Sequence, residues 1–247
     1  MTDLTLTDLA SVSRVMAAAY DKFEHQPWWR GHGLSSWNLV PTVHREPRQP
    51  PPYESNIALK FAQRAPTRHL KCPAPGDLAP WLFLMQHYRL PTRLLDWTES
   101  PLIALFFAVA DPTQKGNDGA LWALDPYQMN RFEFGAAAIA QPGHPQASAL
   151  ISRAYSGTEP DFEEVAAILT GEVDLRMMVQ LSGMTIHGSP TPLNDRPKIK
   201  ECLMKFTIPA DSKDFLQLQL ARLGIRARNL FPDLEHLAAD LAADLYI

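Results

Sequence analysis

The chain has 247 residues, 46% of them hydrophobic, and a formal net charge of -4 at pH 7. That apolar content supports a true core and argues against bulk disorder, while the acidic balance argues against general duplex DNA binding through phosphate attraction. Cys72 and Cys202 have neither disulfide nor metal spacing, Met1-Thr2-Asp3 opens no secretory signal, and no long apolar run is present, so a cytoplasmic protein with no membrane segment is expected.

Taken in order, Leu9, Val12, Val15, Met16 and Ala19 fall at helical spacing and predict an amphipathic helix from Thr7 to Phe23, capped by Thr7. Gln26 to Gly33 pairs two tryptophans with Arg30-Gly31 and predicts a short strand ending in a tight turn, where glycine lets backbone approach something closely. Pro50-Pro51-Pro52 reads as an exposed polyproline stretch, and Glu54 to Arg64 as a helix. Later segments predict a strand over Ala120 to Leu124, a helix over Asp161 to Thr170, a strand pair or bulged strand over Leu175 to His187, and a strand over Ile199 to Ile208. A helix capped by Asp211 or Ser212 should run to Arg222 and stop at Gly224. The last helix places Leu234, Leu237, Leu241 and Leu245 on one stripe, and Met129 to Ala154 gives no clear pattern.

The centre of the chain, Trp81 to Ala110, carries the densest chemistry. Asp77 caps a helix that should stop near Tyr88 or Arg89, because the residue before Pro91 avoids the helical region. Ser100-Pro101 opens a second helix, to Ala110, apolar on nearly all faces and therefore buried. Between them Leu90 to Glu99 is expected to be a loop rich in functional groups and anchored at both ends.

Trp29-Arg30-Gly31, Leu39-Val40-Pro41 with Arg45, Gln86-His87, Leu90-Pro-Thr-Arg-Leu-Leu-Asp-Trp-Thr98, and the later Arg176, Gln180, Gly183 and Leu230 to Leu234 together resemble the FRG domain, a family known for its aromatic-Arg-Gly motif. The resemblance spans about residues 18 to 239 of one domain covering 1–247, and Arg89 departs from it, standing where the family usually has Gly. More distantly, Arg30-Gly31 followed by Asp96 to Ala108 is similar in order to the ADP-ribosyltransferases. That similarity implies an α+β domain with a split antiparallel sheet, flanking helices and an NAD cleft between the Arg30-Gly31 strand and the Leu90–Glu99 loop.

Under this reading NAD is the substrate and no metal is required. Arg30 would bind the pyrophosphate or ribose, the Gly31 backbone the nicotinamide amide, and Trp97 or Tyr88 would stack on the nicotinamide ring, with Thr92, Arg93, Asp96 and Thr98 lining the same wall. Cleavage passes through an oxocarbenium-like state and asks for a carboxylate. The position closest to the transferase glutamate is Gln180, which can orient a ribose hydroxyl but cannot act as a base; Glu172, Asp174 and Glu201 lie near it in sequence. Catalytic candidates are thus Arg30, Gln180 and His87. The implied role is an NAD-consuming toxin or bacterial defence effector with a macromolecular target and an antitoxin or defence-system partner, none of which the residues identify. Two other readings stand beside it. One is a non-catalytic module recognising a nucleotide or a protein; the other is a metal-independent ribonuclease using His87, His32, Arg93 and Asp96. Arg93 and Asp96 also fit a plain ion pair that pins the loop, Trp97 a core residue, and Thr98 and Ser100 helix caps.

Overall fold

The computed structural model describes residues 4–50, 52–157, 163–169 and 175–244. Helix α1 spans Leu9–Lys22; its cap is Asp8, not Thr7, because the Asp8 carboxylate accepts from the Ser11 amide at 2.7 Å and Ser11 returns the bond in a capping box. Strand β1 is Trp28–His32, followed by helices α2 at Tyr53–Arg64 and α3 at Leu78–His87. Strand β2 is Leu94–Thr98, and helix α4, Pro101–Val109, begins at Ser100, whose hydroxyl accepts from the Ile103 amide. Strand β3 (Gly119–Leu124) leads into α5 (Pro126–Phe134) and α6 (Pro145–Ser156). Strand β4 (Val165–Ile168), the short α7 (Leu175–Val179) and β5 (Ser182–His187) follow. The chain closes with β6 (Leu203–Ile208), α8 (Lys213–Arg222), α9 (Ala227–Leu230) and α10 (Leu234–Asp244). Among the described residues no helix is long and apolar enough to cross a membrane.

All strands join one six-stranded sheet in the order β4-β5-β2-β1-β3-β6, and every neighbouring pair is antiparallel. The domain is therefore α+β. β1 pairs with β3 over its full length but meets β2 only at Trp29 opposite Thr98. The sheet is split at that joint, into β4-β5-β2 and β1-β3-β6.

Side-chain alternation sorts the core accordingly. One sheet face is covered by a single cluster that takes Trp28, Leu95, Trp97, Ala120 and Trp122. The other face carries two clusters. One holds Trp29, Leu121 and Phe206 against α1, α4 and α8; the other holds Leu94, Met184 and Ile186 against α3 and α6. The gap between these two clusters lies over the split.

Several expectations are corrected. The Leu90–Glu99 loop is strand β2 from Leu94 onward: Leu94 enters one core while Leu95 and Trp97 enter another, so the strand is buried on both sides. Its density of charged groups disguised a central strand. The helix expected over Asp161 to Thr170 is strand β4 where it is described: Val165-Ala-Ala-Ile168 is buried throughout, and a short continuous apolar run does not separate a buried strand from a helix. Residues 161, 162 and 170, with Gly171, Glu172, Asp174 and Leu245, lie outside the described residues. The strand pair expected from Leu175 is a helical turn followed by β5. The patternless stretch from Met129 contains most of α5 and α6. The strand expected from Ile199 begins at Leu203, after a 3-10 turn over Ile199–Cys202.

Candidate functional site

The split opens into a cleft of about 680 Å³. Its walls come from β1, the segment after it through Glu46, the end of α3, β2, α4, α7 and the start of β5. Among the described residues no group of three or more His, Cys, Asp or Glu side chains is placed to hold a metal ion.

Arg30 sits in the opening. Alternation sends the Arg30 and Asp96 side chains toward different sheet faces, but β1 and β2 part just beyond Trp29, and the guanidinium enters the gap. There its Nη1 donates to the Asp96 carbonyl at 2.5 Å and its Nε donates to His32 Nε2 at 3.1 Å. Because His32 Nε2 accepts, its Nδ1 carries the proton and donates to the Trp37 carbonyl at 3.2 Å. Burial, then the neighbouring Arg30, pushes the His32 pKa down to about 3, so the ring stays neutral and the tautomer fixed. Burial lowers the Arg30 pKa to about 10 against the opposing charge of Asp96, leaving it cationic at neutral pH. Its Nη2 has no protein partner among the described residues.

Arg45 stands at the same opening. Its Nε donates to the Val40 carbonyl at 3.0 Å, the side chain's only hydrogen bond among the described residues, which leaves the terminal amino groups free. Burial lowers its pKa and Asp96 opposes the shift. Arg30 and Arg45 each feel the other's neighbourhood through Asp96, and Arg45 contributes to the lowered pKa of Arg30. Two forked cations with unused donors thus flank one carboxylate. Asp96 itself projects into the cleft, exposed, and accepts from Gln86 Nε2 at 2.6 Å. Gln86 is in turn oriented by Thr92, whose hydroxyl donates to its Oε1 at 2.5 Å.

Of the residues expected at the site, Arg30, Gly31, His87, Asp96, Trp97, Thr98 and Gln180 border this one cleft. Their roles differ from those expected. Gly31 faces α4, and a Cβ there would collide with the Ala104 carbonyl; its glycine is required by helix–strand packing. Trp97 is 3% exposed and donates from Nε1 to Thr185 Oγ1 at 3.1 Å, so its ring is core and cannot stack on a ligand. Thr98 donates to the Gln180 carbonyl at 2.7 Å, and Gln180 Nε2 donates to the Leu230 carbonyl at 2.9 Å. The Gln180 amide is thus spent on the C-terminal segment, where Arg176 also lies over the Phe231 ring at 4.7 Å. Gln180 and Arg176 clasp a wall of the cleft. The His87 carbonyl accepts from Arg176 Nη1 at 3.4 Å, and the ring meets Tyr88 edge-on at 4.8 Å.

Three expected ligand residues lie elsewhere. Tyr88 packs on Phe61 and His69 outside the cleft. Thr92 is fully buried behind Gln86. Arg93 does not pair with Asp96; its Nη2 and Nε reach Glu54 of α2 at 2.6 and 3.1 Å, with both side chains 10% exposed. Arg93 therefore ties β2 to α2 from behind.

Sequence reasoning passed over Arg45, Gln86 and Trp37 as site residues and gave His32 a place only in the ribonuclease reading. Arg45 and Gln86 sit inside the quoted motifs, so the signal existed; what links them to Arg30 and Asp96 is the strand split, which no local pattern reveals. Arg89 adopts φ 60°, the left-handed conformation that glycine favours. The loop backbone therefore keeps the shape a glycine would give, and Arg89 carries the strain.

Residues 25–117 match the family model of the FRG domain, a span that runs from before β1 to just before β3 and holds Arg30, Arg45, Gln86 and Asp96. No curated protein and no solved structure matches the chain.

Proposed function

We propose, starting from the FRG domain that the chain carries over residues 25–117, that the cleft binds NAD and cleaves its nicotinamide–ribose bond, transferring the ADP-ribosyl group to water or to a macromolecular acceptor. The observation that carries this reading is the placement of Arg30 and Arg45, with unused guanidinium donors, beside the exposed Asp96 carboxylate in one cleft. Paired arginine forks suit a diphosphate. As the glycosidic bond breaks, its electrons leave with nicotinamide, which departs neutral, and positive charge develops on the ribose. Asp96, fixed by Gln86, is the carboxylate that would stabilise that charge. The acceptor then adds to the anomeric carbon and loses its proton to solvent or to Asp96. The split antiparallel sheet is also the architecture that the transferase resemblance implies.

One observation favours a second reading. β5 presents Ser182 and Met184 to the cleft, and its sequence, Ser-Gly-Met-Thr-Ile-His, contains no carboxylate. A module that holds a nucleotide without cleaving it needs none. Calorimetric titration with NAD tests the shared premise: binding should weaken by about tenfold or more in Arg30→Ala and in Arg45→Ala, the loss of a charge-assisted contact. Absence of NAD binding to the wild type would sink the first reading and, of the second, the module that holds NAD. The toxin or defence role and an antitoxin or defence partner are extensions of the first reading, to be sought only once NAD is consumed.

A further inference from the structure

Of the six tryptophans in the chain, Trp28, Trp29, Trp81, Trp97 and Trp122 are all buried, while Trp37 is 43% exposed and borders the cleft. A large apolar ring left in solvent is the informative case. It is not left there by a loose loop. The Ser35 amide donates to the Asp118 carbonyl at 2.7 Å, Lys205 Nζ donates to the Ser35 carbonyl at 2.6 Å, and the Leu39 amide donates to Asn194 Oδ1 at 2.8 Å. His32 holds the Trp37 carbonyl itself and meets the indole edge-on at 6.1 Å. Every tie is made by backbone or by another side chain. The backbone that carries the indole is thus held, and the open part of the ring meets a ligand with less ordering to supply.

Its position is ordered relative to the chemistry. Asp96 touches Arg30, Arg30 touches His32, and His32 touches Trp37. In this chain of contacts Arg30 stands between the Asp96 carbonyl and the His32–Trp37 pair.

We propose that a ligand whose diphosphate rests on Arg30 extends one half toward Asp96 and the other toward Trp37, and that Trp37 is the stacking platform for a purine base on that far half. The assignment of the reacting half to Asp96 rests on the NAD reading above; the platform itself does not. Stacking of a base on an indole needs a ring face, which every purine offers, and the nearby Arg30 and Arg45 supply the phosphate contact that keeps the base there.

The test compares AMP, ADP-ribose and nicotinamide mononucleotide by calorimetry on wild type, Trp37→Ala and Trp37→Phe. Because the ring is half exposed and the loop is held by other groups, both variants should fold, which circular dichroism checks. In Trp37→Ala the affinity for AMP and ADP-ribose should fall about tenfold to a hundredfold, the range of one base–aromatic stack, with nicotinamide mononucleotide unchanged. Trp37→Phe should recover most of the loss. The platform is overturned if Trp37→Ala binds AMP and ADP-ribose like wild type, if all three ligands weaken equally, or if wild type binds none. A Trp37-dependent AMP affinity in a protein that leaves NAD intact would support the platform and defeat the enzymatic reading; NAD cleavage with AMP affinity unaffected by Trp37→Ala would do the reverse.

Discussion

Removing Glu54 should unfold the cleft from behind without touching its lining. Glu54 accepts from the Arg93 side chain through three contacts, at 3.2, 3.1 and 2.6 Å, and from the Arg93 amide at 3.1 Å. Glu54→Ala leaves a guanidinium stranded in a site where the side chain is 10% exposed. Breaking one partner of such a pair costs about 3–5 kcal/mol. With a slope of about 2–3 kcal/mol per molar urea, the unfolding midpoint should drop by roughly 1–2.5 M. Replacing both partners, as in Glu54→Leu with Arg93→Met, removes the stranded charge, but the Arg93 amide still loses its acceptor. The double variant should therefore recover only part of the loss, remaining about 1–3 kcal/mol below wild type. NAD affinity of whatever folded fraction remains should be unchanged. An Arg93→Met protein that keeps the wild-type midpoint but loses nucleotide binding would refute this, and would return Arg93 to the ligand set.

Arg89→Gly should stabilise the protein by about 1 kcal/mol, relief of left-handed strain less the added freedom of the unfolded chain, read as a higher thermal midpoint; an unchanged or lower midpoint would mean the Arg89 side chain has a role that the backbone argument omits. Gly31→Ala forces a Cβ into the Ala104 carbonyl and should cost about 3 kcal/mol or more, with insoluble expression as the first sign; a soluble variant of wild-type stability would disprove the close contact. Stability should fall with acidification. His32, His44 and His187 are held neutral by burial, His32 to a pKa of about 3 and His44 to about 4, whereas each protonates near its ordinary value when unfolded. Between those values the unfolded chain binds more protons, so stability present at neutral pH is lost as pH falls through about 6.5, by up to ~1.4 kcal/mol per pH unit for each histidine. Urea midpoints that stay level from pH 7 to pH 5 would contradict the burial of these rings.

Local chemistry made the helix starts at Asp77 and Ser100, the stop at Gly224 and the alternation of Met204 to Ile208 readable, because such patterns are short-range. Arg30 and Asp96 were also within reach as members of one cleft, since both stand in motifs of one resemblance. What local pattern could not supply was the sheet. Leu94 to Thr98 looks like a reactive loop until its two faces are seen buried in different cores, and Val165 to Ile168 looks helical until it pairs with β5. Roles shifted for the same reason: Arg93 found Glu54, and Gln180 found Leu230, both through partners distant in sequence. Trp97 and Trp37 exchanged places as the aromatic of interest because only burial distinguishes them.

Nicotinamide release from NAD, followed for wild type and Asp96→Asn alongside calorimetric NAD affinity, tests the central claim most directly. Wild type should release nicotinamide, and Asp96→Asn should keep binding NAD while its turnover falls by about two orders of magnitude or more, the loss expected on removing a transition-state charge partner. Cleavage by Asp96→Asn at the wild-type rate, or a wild type that neither binds nor cleaves NAD, would contradict it.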